Sequence, residues 1–322
     1  MKKSILSVIV FASIVLAGCE NSSDKFLSYE KTISDYGYSI DTQLTQGNFF
    51  AEDLAIVTNE ENVGGDEQLT SSASLLVNVT DNEIIYADNV YDKLYPASLT
   101  KLLTSLVVLK QGELSDLVTV SYNATHFSEG NVKLCGFEEG DIISLEALLN
   151  SLLIYSGNDA AVAAADYISG SEEAFVQMMN QEAEKIGAVN SNFVNPHGLH
   201  DDNHYTTAYD MYLIFNELIK NDTFLSIINT EAYTAIYKDK NQNEKEKTFS
   251  STNSYLIGDE EVDPSLEVIG GKTGTTRKAG NCLILLCKDS AGKEYIAIIL
   301  NASGKEQLYT QMSHLISKIT LR

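Results

Sequence analysis

Short apolar runs of β-type residues lie near both ends of the chain. Residues 74–79 and 84–87 are rich in such residues, and the link between them contains Thr80-Asp81-Asn82. This pattern indicates a β-hairpin. Towards the C-terminus the same character returns in three further runs, at residues 267–269, 283–287 and 295–300. We therefore predict strands at both ends of the chain.

Apolar residues recur at helical spacing in the middle of the chain and again at its end. One such run begins at Ser98 and ends at Gly112. Ser144 and Ser171 precede two others and can cap their free N–H groups. Further helices are predicted at 208–218 and near residues 308–316. Strands, then helices, then strands indicate an α+β fold, with one antiparallel sheet built from both chain ends, a largely helical insert and a cleft between them.

The first residues have the pattern of an export signal. Lys2 and Lys3 precede an apolar run, residues 5–17, that is too short to span a bilayer. Leu16-Ala17-Gly18-Cys19 resembles a bacterial lipobox, which implies that 1–18 is a lipoprotein signal peptide and that Cys19 is lipidated. A secretory signal with a coincidental cysteine is the alternative. We predict a polar tether at 19–47, a folded domain at 48–322, and a location on the outer face of the cell membrane.

The charge and the cysteines exclude several classes of protein. A net charge of −23 repels nucleic acid. Beyond Cys19 the chain has three cysteines, and two of them, Cys282 and Cys287, are an odd number of residues apart. On one strand they would face opposite sides and could not bond. We therefore expect buried free thiols, without a disulfide framework or a zinc cluster.

Three histidines that are close in sequence raise the question of a metal site. His197, His200 and His204 lie near two aspartates, and zinc is conceivable from these ligand types. Pro196 and Gly198, however, mark the segment as a loop without a helical ligand face. We expect no metal here, with His197 lining a functional site and with His200 and His204 on the surface.

The segment Ser98-Leu99-Thr100-Lys101 pairs a hydroxyl with an amine on one helix face. The free N–H groups at a helix start suit a developing oxyanion, and a lysine in a dry site can lose its charge and act as a base. The same S-x-x-K spacing occurs at Ser22, Ser28 and Ser290, but only Ser98 begins an apolar helix. Ser98 is therefore the candidate nucleophile.

Two more motifs follow in order. Ser156-Gly157-Asn158 comes directly after an apolar helix, although a plain turn would have the same composition. Lys272-Thr273-Gly274-Thr275 contains the only Lys-Thr-Gly of the chain, and a simple strand end is its structural alternative. A phosphate loop is excluded, because that motif needs a glycine where Leu266 stands.

Together these motifs form the S-x-x-K, S-x-N and K-T-G set of penicillin-recognising serine enzymes. The chain further resembles the low-molecular-mass penicillin-binding D-Ala-D-Ala carboxypeptidases, from about Phe49 to near the C-terminus. The segments that carry this likeness are Tyr95-Pro96-Ala97-Ser98-Leu99-Thr100-Lys101, Tyr155-Ser156-Gly157-Asn158-Asp159-Ala160-Ala161, Asn195-Pro196-His197-Gly198-Leu199 and Gly271-Lys272-Thr273-Gly274-Thr275-Thr276. The resemblance implies a β-lactamase/transpeptidase-like fold and a serine carboxypeptidase that trims peptidoglycan stem peptides, binds penicillin covalently and needs no cofactor.

The resemblance also implies roles for single residues. Ser98 would attack, Lys101 would take its proton, and Ser156 would pass a proton to the departing D-Ala. Backbone N–H groups of Ser98 and Thr275 would form the oxyanion hole. The substrate would be held by Asn158, Lys272, Thr273, Gly274, Thr275 and His197.

The family pattern is not matched throughout. Family members often continue into a β-sandwich and an amphipathic membrane helix, which we do not expect in a sequence that reaches Arg322 soon after its last strand. The N-terminal lipid would replace that anchor. Lys305 is the nearest candidate for the basic residue that helps to hold the substrate carboxylate in the family.

Two other functions have to be weighed. In class A β-lactamases the middle motif is usually Ser-Asp-Asn and a loop glutamate activates water, whereas this chain has Gly157 and no glutamate from Val189 to Tyr209. This difference favours the carboxypeptidase. A muropeptide or β-lactam sensor without turnover would not need the complete proton-transfer set, and a purely structural lipoprotein would leave all motifs unexplained.

Overall fold

The computed structural model describes residues 54–128, 130 and 132–321. In chain order the strands are β1 (Ala73–Asn78), β2 (Glu83–Asp88), β3 (Leu117–Thr119), β4 (Ile142–Ser144), β5 (Ala232–Lys238), β6 (Glu244–Ser250), β7 (Leu266–Thr276), β8 (Gly280–Asp289) and β9 (Glu294–Ala302). The α-helices are α1 (Thr100–Gln111), α2 (Tyr122–Thr125), α3 (Leu145–Asn150), α4 (Asn158–Ser169), α5 (Glu172–Lys185), α6 (Ala208–Leu218), α7 (Asp222–Ile228) and α8 (Lys305–Ser317). A 3₁₀ turn, Ala97–Leu99, precedes α1, and a π-helical turn, Ser151–Tyr155, follows α3.

The predicted sheet from both chain ends is confirmed. It is antiparallel, with the strand order β2-β1-β9-β8-β7. Its central strands read as nearly continuous apolar runs because both faces are covered. Cys282 packs into the core beneath the helical part of the molecule, and Cys287 packs into the core beneath α8. The two thiols therefore lie on opposite faces, and the three cysteines of the described part are buried and free, as expected.

A second antiparallel sheet corrects the prediction of a single one. Its order is β3-β4-β5-β6. β5 alternates between buried and exposed residues, as a half-buried strand should. β6 has the sequence EKEKTFS, whose four leading charges hide the strand signal. The segment pairs with β5 along its whole length and so gains order from its partner rather than from its own composition.

The helical part sits against the main sheet and carries the functional segments. Ser144 and Ser171 cap α3 and α5 as predicted, each accepting a backbone N–H three residues ahead. Helix α4, which was not predicted, begins at Asn158 and runs through the alanine-rich centre of the helical part. Its small side chains let neighbouring helices pack closely on all sides, so it lacks the polar face that marks a surface helix.

The N-terminal predictions fall on residues outside the described part of the chain. The signal peptide 1–18, the tether 19–47 and Cys19 stay predictions. Within residues 54–321, apart from the two gaps, no helix has the length and apolar content needed to cross a bilayer.

Candidate active site

Ser98 lies in the 3₁₀ turn before α1, and α1 begins at Thr100, two residues later than predicted. The preceding residue, Ala97, has a left-handed backbone with φ of +47°. Two glycines enclose this turn. A Cβ on Gly274 of β7 would lie 3.0 Å from the Ser98 nitrogen, and a Cβ on Gly198 would lie 1.9 Å from the Ala97 oxygen. Glycine at both positions lets strand and loop touch the backbone around the nucleophile.

Lys101 is fully buried one turn after Ser98, and three oxygens surround its side-chain nitrogen. Nζ lies 3.3 Å from Ser98 Oγ, 2.6 Å from Asn158 Oδ1 and 2.7 Å from the His197 carbonyl oxygen. The amide and carbonyl oxygens can only accept hydrogen bonds. A neutral amine has two N–H groups for those two acceptors, which leaves its lone pair directed to the Ser98 hydroxyl. The geometry is that of a general base beside a nucleophile.

Burial lowers the pKa of Lys101 to about 7. The nearby positive charge of Lys133 acts in the same direction, whereas Cys135 and Asp159 oppose it. Desolvation disfavours the charged form of an amine. A substantial fraction of Lys101 is therefore neutral near pH 7, which a base must be.

Ser156 and Lys272 form a second proton-handling pair. Lys272 Nζ donates to Ser156 Oγ at 2.9 Å and to the Thr273 carbonyl at 3.1 Å. Ser156 adopts a left-handed conformation, with φ of +72°, immediately after the π-helical turn. Such a backbone is uncommon for serine and is held here by the surrounding structure. Burial, followed by the charge of Lys101, holds the pKa of Lys272 well below its usual value.

Asp159 anchors the middle motif, and sequence reasoning did not identify it. Its buried carboxylate accepts backbone N–H bonds from three successive residues, Cys135 at 2.8 Å, Gly136 at 2.8 Å and Phe137 at 3.2 Å. Gly157 packs against the same loop, where an added Cβ would lie 2.1 Å from the Cys135 sulfur. This contact gives a steric reason for glycine, rather than aspartate, in the middle of the second motif.

The three motifs open into one cleft of about 570 Å³. Thr273 bonds to Thr252 through their hydroxyls at 2.6 Å, and Thr275 donates to Asn281 at 3.1 Å. Among the described residues that line the cleft, none has a carboxylate side chain. The charged side chains among them are those of Lys133 and Lys305. A chain with net charge −23 thus presents a cationic cleft, which suits an anionic ligand.

Two of the three neighbouring histidines are placed as expected, and one is not. His197 lines the cleft as predicted, with its ring 3.6 Å from Glu172. His200 is partly exposed and lies near Asp202. His204 was expected on the surface, but it is 2% exposed and bonded to Thr100. Within the described residues no cluster of three His, Cys, Asp or Glu side chains could hold a metal ion.

The chain is similar in sequence to known proteins. The family model for D-alanyl-D-alanine carboxypeptidases matches residues 57–304. The chain is 31% identical over 251 residues to the D-alanyl-D-alanine carboxypeptidase DacF of Bacillus subtilis, covering 76% of this chain and 61% of that protein. It is 34% identical over 244 residues to DacA of Escherichia coli, covering 73% of this chain and 56% of that protein. The chain thus spans about six tenths of the length of these curated relatives.

Solved structures share the architecture. A Streptomyces DD-transpeptidase superposes with a TM-score of 0.73 at 25% identity, covering 79% of this chain and 98% of the other. Penicillin binding protein 5 from Haemophilus influenzae gives a TM-score of 0.69 at 28% identity, covering 79% of this chain and 71% of the other. These similarities confirm the fold that the family resemblance implied.

Proposed function

This chain belongs to the D-alanyl-D-alanine carboxypeptidase family, and we propose from this that it removes the terminal D-Ala of peptidoglycan stem peptides through an acyl-enzyme on Ser98. Penicillins would acylate the same hydroxyl. The observation that carries the proposal is the position of Lys101, whose nitrogen lies between the Ser98 hydroxyl and two oxygens that can only accept. A neutral lysine donates to those two oxygens and keeps its lone pair for the Ser98 proton.

Proton movement follows from the two Ser–Lys pairs. Ser98 Oγ attacks the carbonyl carbon of the penultimate D-Ala, and its proton passes to Lys101. The C–N bond then breaks as Ser156 gives its proton to the departing nitrogen and takes the proton held by Lys101, while Lys272 holds the Ser156 oxygen. Water releases the acyl group from Ser98 and restores the hydroxyl. Backbone N–H groups of Ser98 and Thr275 would stabilise the oxyanion.

The cationic side of the cleft accounts for a substrate that ends in a carboxylate. Lys305 lines the cleft at the start of α8, and Thr273 and Thr275 offer hydroxyls from β7. An arriving carboxylate would raise the pKa of Lys272, which burial depresses in the free protein. β7 is the last strand of its sheet, and on one edge it pairs with no strand of the described chain, so an extended peptide could pair with its backbone there.

We further propose that the protein is exported and held at the outer face of the cell membrane by lipid on Cys19. The supporting observation is the lipobox-like sequence Leu16-Ala17-Gly18-Cys19 after a short apolar run. Two acyl chains make a stable anchor, and the tether at 19–47 would hold a strongly acidic domain away from anionic lipids. Metabolic labelling with a fatty acid, compared between the wild type and Cys19→Ala, tests this. Equal labelling of both would contradict it.

Release of D-Ala from diacetyl-Lys-D-Ala-D-Ala tests the proposed activity. We expect release by the wild type and none by Ser98→Ala. Ser290→Ala is the matched control, because Ser290 has the same S-x-x-K spacing but lies in a turn after β8. Fast penicillin hydrolysis without D-Ala release would indicate a β-lactamase. A stable penicillin adduct without peptide turnover would indicate a sensor.

A further inference from the structure

His204 is buried beside the nucleophile, and both of its ring nitrogens are engaged. The Val194 N–H donates to Nδ1 at 3.1 Å, and Nε2 lies 2.7 Å from Thr100 Oγ1. Because Nδ1 accepts, the single proton of the neutral ring is on Nε2 and points to Thr100. Burial lowers the pKa of His204 to about 4, so the ring is neutral at physiological pH.

The hydrogen bond continues from Thr100 to the nucleophile turn. Thr100 is fully buried, and its hydroxyl donates to the Ala97 carbonyl at 2.8 Å. The bonds therefore run in one direction, from the Val194 N–H through His204 and Thr100 to Ala97. Ala97 is the residue with φ of +47° immediately before Ser98. A left-handed alanine is strained and persists only where surrounding contacts determine it.

Close packing leaves His204 as the donor for the Thr100 hydroxyl. A Cβ on Gly198 would lie 1.9 Å from the Ala97 oxygen and 2.9 Å from Thr100 Oγ1, so no space remains there for a water. Without the imidazole N–H, the Thr100 oxygen would lose its hydrogen-bond donor in a buried site.

The loop that carries His204 also positions the base. The backbone oxygen of His197 accepts from Lys101 at 2.7 Å, and that of Pro196 accepts from Thr104 at 2.6 Å. One side of α1 is thus hydrogen-bonded to this loop through three residues, Thr100, Lys101 and Thr104. A change at His204 would alter the alignment of Ser98 with Lys101, rather than the affinity of the open cleft.

We propose that His204 is a positioning residue, which holds the strained Ala97–Ser98 turn through Thr100 and so keeps Ser98 in line with Lys101. This inference rests on the proposed function, because it concerns the rate at which Ser98 is acylated. It predicts a loss in the limiting acylation rate with little change in the initial binding of ligand. A merely structural role would instead lower stability and leave that rate unchanged in the folded protein.

Stopped-flow acylation by a fluorescent penicillin, with purified full-length protein, separates the two quantities. We expect His204→Leu to lower the limiting rate at least about 30-fold, with the dissociation constant of the initial complex within about 3-fold. His204→Gln supplies one donor and one acceptor, and should recover the rate to within about 5-fold of wild type. Thr100→Val, which keeps the shape but removes the hydroxyl, should reproduce the defect and provides the test if His204→Leu fails to fold.

His314→Leu is the matched control, because it removes a histidine bonded to Asp66 at 2.8 Å and does not line the cleft. It should lower the unfolding midpoint while its limiting rate stays within about 2-fold of wild type. A wild-type limiting rate in folded His204→Leu or Thr100→Val would overturn this inference and leave the proposed function intact. So would a glutamine variant no faster than the leucine variant at equal stability. A wild type that penicillin does not acylate would overturn the proposed function and this inference with it.

Discussion

Acylation of Ser98 should depend on pH through the protonation of Lys101. Burial lowers the pKa of this amine to about 7, and only the neutral form can accept the Ser98 proton. The acylation rate should rise with pH, because the neutral form of Lys101 is present above its pKa and is lost as the pH falls through it. With a pKa of about 7, roughly 1% of Lys101 is neutral at pH 5 and about half at pH 7. The second-order acylation rate should therefore rise about 50-fold between pH 5 and pH 7, and level off above pH 8.

The assay is formation of the covalent penicillin adduct at ligand concentrations far below saturation, since that rate reports the free enzyme. Circular dichroism at each pH checks that the protein stays folded. Lys133→Met provides an independent test. Because the positive charge of Lys133 helps to depress the pKa of Lys101, its removal should move the midpoint to higher pH. A rate that is flat from pH 5 to pH 8, or that falls as the pH rises, would refute the role of Lys101 as the base.

Three further results are expected. Gly157→Ala puts a methyl 2.1 Å from the Cys135 sulfur, so the acylation rate should fall at least about 10-fold. Adding Cys135→Ala to this variant should restore the rate. An equal defect in the double variant would argue against the steric explanation. The hydrogen bond from Lys318 holds the pKa of the Asp66 carboxyl well below its usual range. Asp66→Asn should therefore lose about 2 kcal/mol in urea unfolding at pH 7, and the difference should shrink as the pH falls below about 4, since this stability is lost when the folded carboxyl is protonated; a pH-independent difference would exclude this linkage. Lys305→Met should raise KM about 5-fold for a peptide acid but not for its C-terminal amide, and equal changes in both would exclude carboxylate binding.

Much of the fold was predictable because apolar periodicity reports burial. The hairpin of β1 and β2, the strands β7 to β9 and the capped helices all carry that signal. Helix α4 did not, because a central alanine-rich helix has no polar face. Strand β6 did not either, because its charges point to solvent and its pairing with β5 is a tertiary contact.

The motif residues of the site were predictable from spacing and chemistry, whereas their supports were not. Ser98 and Lys101 lie one turn apart, so their contact follows from local geometry. His204 lies in a polar segment and Asp159 stands at the polar edge of an alanine-rich run, so neither sequence neighbourhood identifies the residue as a buried support of the site. Their partners, Cys135 and Thr100, are 24 and 104 residues away in the chain. Only the folded chain brings them together.

The proposed acyl-enzyme on Ser98 is tested most directly by the intact mass of the purified protein, followed over time with penicillin and with diacetyl-Lys-D-Ala-D-Ala. We expect a penicillin adduct that maps to Ser98 and is absent in Ser98→Ala, together with release of D-Ala from the peptide by the wild type. Absence of any adduct on the folded wild-type protein, or an adduct on a residue other than Ser98, would contradict it.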